Sequence, residues 1–126
     1  MVLTLMIIVG FLSFLFIAVG VFKLIRTKEQ IVTGGGAWAA EFSPLSIKII
    51  GAAECVLALS LIYCLFLSDS PRLAVFSLAG MSLIMLAATV VHIKRMEYGF
   101  VALTIVVAGM AIFPIVWICF SLAEMT

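Results

Sequence analysis

The sequence predicts an all-α membrane protein, a four-transmembrane-helix bundle, and three observations carry that prediction. Residues are 67% hydrophobic and only 10% charged, with a mean hydropathy of +1.44, far outside the range of soluble globular domains. Four apolar runs, about 2–22, 47–67, 73–93 and 100–122, each approach the ~20 residues needed to cross ~30 Å of hydrocarbon. Basic residues collect in alternate connections, as the positive-inside rule requires of a multi-pass chain. The runs use up most of the 126 residues, so residues 1–126 read as one membrane domain with no room for a soluble one.

The first run, Val2 to Phe22, is not expected to be a secretory signal, because no basic residue precedes it, it is too long for an h-region, and no small-x-small site follows. Lys23, Arg26 and Lys28 come next. With Lys48, Lys94 and Arg95 they place six basic residues in the first and third connections, against Arg72 alone in the second, SDSPR. The first and third connections are therefore expected in the cytoplasm and both termini on the outer side. The first connection, residues 23–46, is longer than a bundle needs, and such a loop is either functional or disordered. Its stretch TGGGAWAAEFSP puts a flexible glycine run before Trp38 and Phe42. It reads as a segment at the membrane surface or folded back over the cytoplasmic mouth, or else as a tether with an aromatic anchor. Three glycines can form an anion nest, but no G-K-[ST] follows, so this is not a P-loop.

The second run contains a carboxylate, Glu54. At ~1.5 Å per residue it sits roughly 9 Å deeper than Lys48, where an acidic group costs about 2.5 to 3.5 kcal/mol to insert. Glu54 must be protonated or face inward toward a partner. Its helical stripe, Ile47, Gly51, Glu54, Ala58 and Leu61, has a small residue on either side, which lets a second helix approach. The third run ends in His92 and then KRMEYG; the fourth contains Pro114, expected to remove the hydrogen bond to the Met110 carbonyl and kink the helix. Tyr63 and Trp117 fall at the outer ends of their runs, and Tyr98 and Trp38 on the cytoplasmic side, as an aromatic belt would place them.

With this topology Lys23, Glu54 and His92 all lie toward the cytoplasmic side and are able to meet, as a proton relay or a seat for the polar head of an apolar ligand. Lys23 shares a stripe with Gly20 and Phe16, and His92 shares one with Ala88, Met85 and Met81. The structural alternative is an interhelical hydrogen-bonded pair worth about 0.6 to 2 kcal/mol, with Lys23 free to snorkel to water. Met81, Met85 and His92 at helical spacing raise copper, but methionine on an apolar helix is more often packing; no metal is expected. Cys55, Cys64 and Cys119 contain no C-x-x-C. Cys64 and Cys119, near the outer ends, are able to pair only if the second and fourth helices are neighbours. The net charge of +1 argues against nucleic acid.

Gly20-Val-Phe-Lys23-Leu24, Trp38-Ala-Ala-Glu-Phe42-Ser43, Ile50-Gly51-Ala-Ala-Glu54 and the stretch from Leu78 through His92 to Glu97, in that order over four spans, together resemble the DoxX-like family of small membrane proteins. The resemblance runs nearly end to end. It implies a four-helix bundle with Gly51, Glu54 and His92 at its polar positions, in a bacterial cell membrane. It also implies a membrane partner in redox chemistry, since the family name comes from a subunit of a quinone-linked thiosulfate oxidoreductase; a quinone is the one cofactor it suggests. Animal relatives act as receptor-assembly chaperones, so family alone does not settle function. This chain has no paired cysteines and no haem or flavin motif, hence no self-sufficient catalytic machinery. Three readings follow. The first is a redox accessory holding a quinone or other amphipathic molecule, with Glu54, His92 and Lys23 at its head, its tail against Phe16, Met81 and Met85, and Gly20, Gly51, Ala58 and Ala88 around it. The second is a scaffold whose Trp38 and Phe42 meet another membrane protein or a second copy. The third is a small proton-coupled transporter, disfavoured because such transporters carry their carboxylate on the first helix and have short loops.

Overall fold

The computed structural model describes residues 1–68 and 70–126; Asp69, within the SDSPR connection, lies outside the described residues. Four long helices, α1 (Val2–Ile25), α3 (Pro44–Phe66), α4 (Pro71–Lys94) and α5 (Tyr98–Ala123), are joined by short turns, except that a short helix α2 (Lys28–Thr33) and a 3-10 helix (Ala37–Glu41) fill the first connection. No strand occurs among the described residues. All four long helices are long and apolar enough to cross a membrane. Their outer faces carry large apolar side chains such as Phe14 (73% exposed) and Phe76 (79%), a surface suited to a lipid bilayer.

The helices run longer than their apolar cores because capping residues and prolines set the ends. Ser43 precedes Pro44 and its hydroxyl accepts the Ser46 N–H at 3.1 Å, so α3 begins at Pro44 and not at the expected 47. Ser70 and Pro71 start α4 in the same way. Helix α1 continues past the expected 22 to Ile25. Lys48 explains how it ends: its ammonium donates to the carbonyls of Lys23, Leu24 and Arg26 at 2.9, 2.6 and 2.6 Å. All three donors of Lys48 are thereby spent on the C-terminus of α1, where the helix dipole favours a cation.

The first connection is folded, in keeping with a segment folded back over the end of the bundle and not with a tether. Thr27 and Gln30 form a capping box that starts α2, and Gly35, at φ 100°, supplies the left-handed residue of the turn that follows. Ile31, Ala39 and Ile47 are buried together, with Trp38 and Phe42 packed on them. The segment is thus a small lid with its own core, pinned to the start of α3.

Within the bundle α1 packs along α3 and α4 along α5; α3 meets α4, whereas α1 and α5 touch far less. One apolar core, including Leu12, Phe16, Ala58, Leu61, Leu78, Met81 and Ala111, fills the middle. The five buried residues of α3 are Ile47, Gly51, Glu54, Ala58 and Leu61, the stripe expected from the sequence. Cys55, Cys64 and Cys119 are all free thiols, so the Cys64–Cys119 pair does not form; their helices α3 and α5 are not packing neighbours in this ring of four.

Candidate functional site

The sparse contact between α1 and α5 leaves a cavity of about 510 Å³ near the end of the bundle that bears Lys23 and His92. This falls in the range of small-molecule sites. Its walls are overwhelmingly apolar: Phe11, Phe16 and Val19 of α1, Met85 and Ala88 of α4, Phe100, Leu103 and Val107 of α5, with Trp38 and Phe42 of the lid above. Lys23, Glu54, His92 and Thr104 supply its polar edge. Phe11, Phe100 and Leu103 are each about half exposed, so these walls continue onto the lipid-facing surface.

Lys23 and Glu54 form one side. The Lys23 ammonium donates to Glu54 Oε1 at 2.5 Å, with side chains only 9% and 1% exposed. Two glycines make the meeting geometrically feasible. A Cβ on Gly20 would lie 2.7 Å from the Gly51 carbonyl oxygen, and one on Gly51 would lie 2.8 Å from that of Gly20, so α1 and α3 touch backbone to backbone. Cβ atoms tilt toward the N-terminus of their own helix, which for α1 is toward the bundle middle. Lys23 therefore reaches inward to Glu54 and does not take the alternative of snorkelling to water. The ammonium also lies 5.4 Å from the Trp38 ring centroid, a cation–π contact that ties the lid to the pair. The second carboxylate oxygen, Oε2 of Glu54, is buried with no hydrogen-bond partner among the described residues, an unusual and costly state for a buried polar atom.

His92 forms the other side and does not join the ion pair. Its Nδ1 is 2.6 Å from Glu97 Oε2, and its ring stacks on Phe100, centroids 5.0 Å apart and planes 18° from parallel. Glu97 is five residues on from His92, outside helical neighbour spacing, and comes back because Met96 takes a left-handed φ of 58°. The Met96 N–H then donates to the Ile93 carbonyl and the Glu97 N–H to the His92 carbonyl, at 3.0 and 2.9 Å, the Schellman pattern with methionine in glycine's usual place. Arg95 donates from Nε to Glu97 and from Nη1 to Glu41 of the lid, both at 3.0 Å. Hydrogen bonds from His92 and then Arg95 hold the Glu97 carboxyl below the usual glutamate range, and the partnership with Glu97 and Glu41 pushes the Arg95 guanidinium up.

Of the residues proposed from sequence, Lys23, Glu54, His92, Met85, Ala88, Trp38 and Phe42 line this one cavity. Gly20 and Gly51 instead form the α1–α3 crossing, and Ala58 and Met81 belong to the central core. Met81 is fully buried there among apolar neighbours. Sequence reasoning overlooked Glu97, Arg95 and Glu41 as partners, and Phe100 and Thr104 as walls. Thr104 accepts from the Thr89 hydroxyl at 2.8 Å and donates to the Phe100 carbonyl at 3.0 Å, stitching α4 to α5 beside the cavity. The one available signal was charge order, since HIKRME sets a cation and an anion close behind a histidine.

The cavity is apolar except at one polar edge, where Lys23, Glu54, His92 and Thr104 lie. Four apolar helices, a folded lid and an intramembrane ion pair define a small multi-pass integral membrane protein with an internal binding-site-like cavity. The model of the DoxX-like family matches residues 7–114, and the chain belongs to that family. No curated protein matches it, and no solved structure does.

Proposed function

We propose that this protein is a membrane redox accessory that holds a quinone or similar amphipathic molecule in the cavity between α1 and α5. The observation that carries this reading is the roughly 510 Å³ cavity whose lining is apolar except where Lys23, Glu54, His92 and Thr104 meet it. A quinone, when bound, supplies reversible two-electron chemistry. The protein's own groups would orient it: the Lys23 ammonium as donor toward a carbonyl, Trp38 and Phe42 closing the ring end, and Phe16, Met85 and Ala88 seating the tail. A gap shared with the lipid-facing surface lets such a molecule enter sideways from the bilayer. The distribution of basic residues supports a topology with both termini outside and the lid in the cytoplasm, and the setting proposed is a bacterial cell membrane. The scaffold reading, in which Trp38 and Phe42 meet another membrane protein or a second copy, is less favoured because both are partly buried and line the cavity.

Native mass spectrometry of protein extracted mildly from its membrane, with an organic extract assayed for quinones, tests the proposal. Wild type is expected to carry a stoichiometric lipid-soluble molecule. Glu54→Gln and Ala88→Phe, the second adding bulk to the α4 wall, are expected to lose it. An empty protein that co-purifies with another membrane protein in all three forms would favour the scaffold.

A further inference from the structure

At the polar edge of the cavity His92 keeps one ring nitrogen without a partner among the described residues. It makes its recorded hydrogen bond through Nδ1 to Glu97. Glu97 is a carboxylate whose affinity for a proton is lowered in place, so Nδ1 must carry the hydrogen of that 2.6 Å contact. In the neutral ring this leaves Nε2 with a lone pair and no hydrogen, and Nε2 has no partner among the described residues. Oε2 of the Glu54 carboxylate is also without a donor, but it is buried and not open to a ligand. The Thr104 hydroxyl is already both donor and acceptor.

We infer that the site takes the hydroxyl-bearing form of its amphipathic ligand, a phenol or hydroquinone, whose O–H is accepted by His92 Nε2, with Glu97 as the residue that sets the tautomer. This rests on the ligand-holding reading above and narrows it. A ligand with only carbonyl oxygens leaves Nε2 of His92 unpaired in a largely apolar enclosure, whereas a hydroxyl satisfies it directly. The Lys23 ammonium gives one N–H to Glu54 and lies against the Trp38 face, and its remaining donors are able to meet a lone pair of the same ligand oxygen. The stacked Phe100 ring holds the imidazole plane, and the left-handed Met96 turn holds Glu97 behind it. The acceptor is therefore positioned before any ligand arrives, which is where selectivity between two ligands of one shape comes from.

The test is binding of para-pentylphenol and of its methyl ether, para-pentylanisole, in which a methyl group replaces the hydroxyl hydrogen. The full chain in nanodiscs, with empty nanodiscs subtracted, is read by Trp38 fluorescence in a Trp117→Phe background. The phenol is expected to bind about tenfold or more tighter than the ether. His92→Phe, which keeps an aromatic ring over Phe100, is expected to bring that ratio close to one while leaving ether affinity unchanged. Glu97→Ala is expected to lower the ratio in the same direction. Equal binding of phenol and ether by wild type overturns the inference while leaving a ligand-holding cavity intact. A strong phenol preference that survives His92→Phe overturns the assignment to His92. Failure of wild type to bind either compound removes the ligand-holding reading and the inference with it.

Discussion

Two charged clusters face each other across the cavity, and they are built on opposite principles. Lys23–Glu54 is nearly inaccessible, dry and made between helices far apart in sequence, with one oxygen left over. The His92–Glu97–Arg95–Glu41 chain lies at the end of the bundle, partly exposed, with both carboxylate oxygens of Glu97 partnered. Glycine contact brings the first together; a left-handed turn brings the second. In the first, desolvation has been imposed on the charges and only mutual pairing offsets it. In the second, water still screens the charges, so each contact contributes little to stability and much to orientation.

The largest expected effect follows from breaking the dry pair on one side. Lys23→Met leaves Glu54 buried without a cation and is expected to destabilise the fold by about 3–5 kcal/mol, measured by reversible unfolding in mixed micelles. Lys23→Met with Glu54→Leu is expected to return stability close to that of wild type, because a buried pair replaced by apolar side chains loses no uncompensated charge. If the single variant were as stable as wild type, the two clusters would not differ in kind and the contrast drawn above would be withdrawn.

A smaller effect separates the glycines that build the pair from those that do not. A Cβ on Gly51 meets the Gly20 carbonyl at 2.8 Å and Lys23 Cβ at 2.9 Å, whereas one on Gly109 of α5 meets nothing within 4 Å. Gly51→Ala is expected to cost about 1–3 kcal/mol by forcing α1 and α3 apart. Gly109→Ala is expected to gain up to about 1 kcal/mol from helix propensity alone. The same unfolding assay reads both, and equal responses would mean that the α1–α3 contact is looser than its geometry.

Most of the fold was legible from hydropathy because each span must satisfy its backbone internally and show an apolar face to lipid, which leaves few alternatives. The Glu54 stripe was legible for a related reason: a carboxylate in an apolar run must turn inward, and helical spacing then names its neighbours. What stayed hidden depended on chain reversal. Glu97 reaches His92 only through Met96 in a conformation that methionine rarely adopts, and no periodicity marks it. The role of Lys48 was hidden likewise, since a basic residue near a span end reads as a topology signal, while its three donors close the end of another helix. The lid was legible only as one of two readings of the first connection, because its core is a few residues, Ile31, Ala39 and Ile47, spread over a composition that resembles a loop.

Acid probes the weaker cluster and yields the smallest effect. The Glu97 carboxyl is held below the usual range, first by the hydrogen bond from His92 and then by Arg95. Facing it are His92 from α4 and Arg95 from the turn, with Glu41 of the lid on the far side of the guanidinium. A depressed carboxylate contributes stability that is fully present above its unfolded value, about 4.3, and is lost as pH falls through its folded value. In that window the unfolded chain binds more protons than the folded one, so stability rises with pH. The wild-type unfolding midpoint is therefore expected to decline as the medium is acidified below the ordinary glutamate range, and Glu97→Gln to decline less steeply over the same interval. Because water reaches this cluster, the difference between the two curves should be small and should shrink further with added salt. Parallel curves would show that His92 and Arg95 touch Glu97 without favouring its charged form, and the distinction between an orienting cluster and a merely adjacent one would fall on that result.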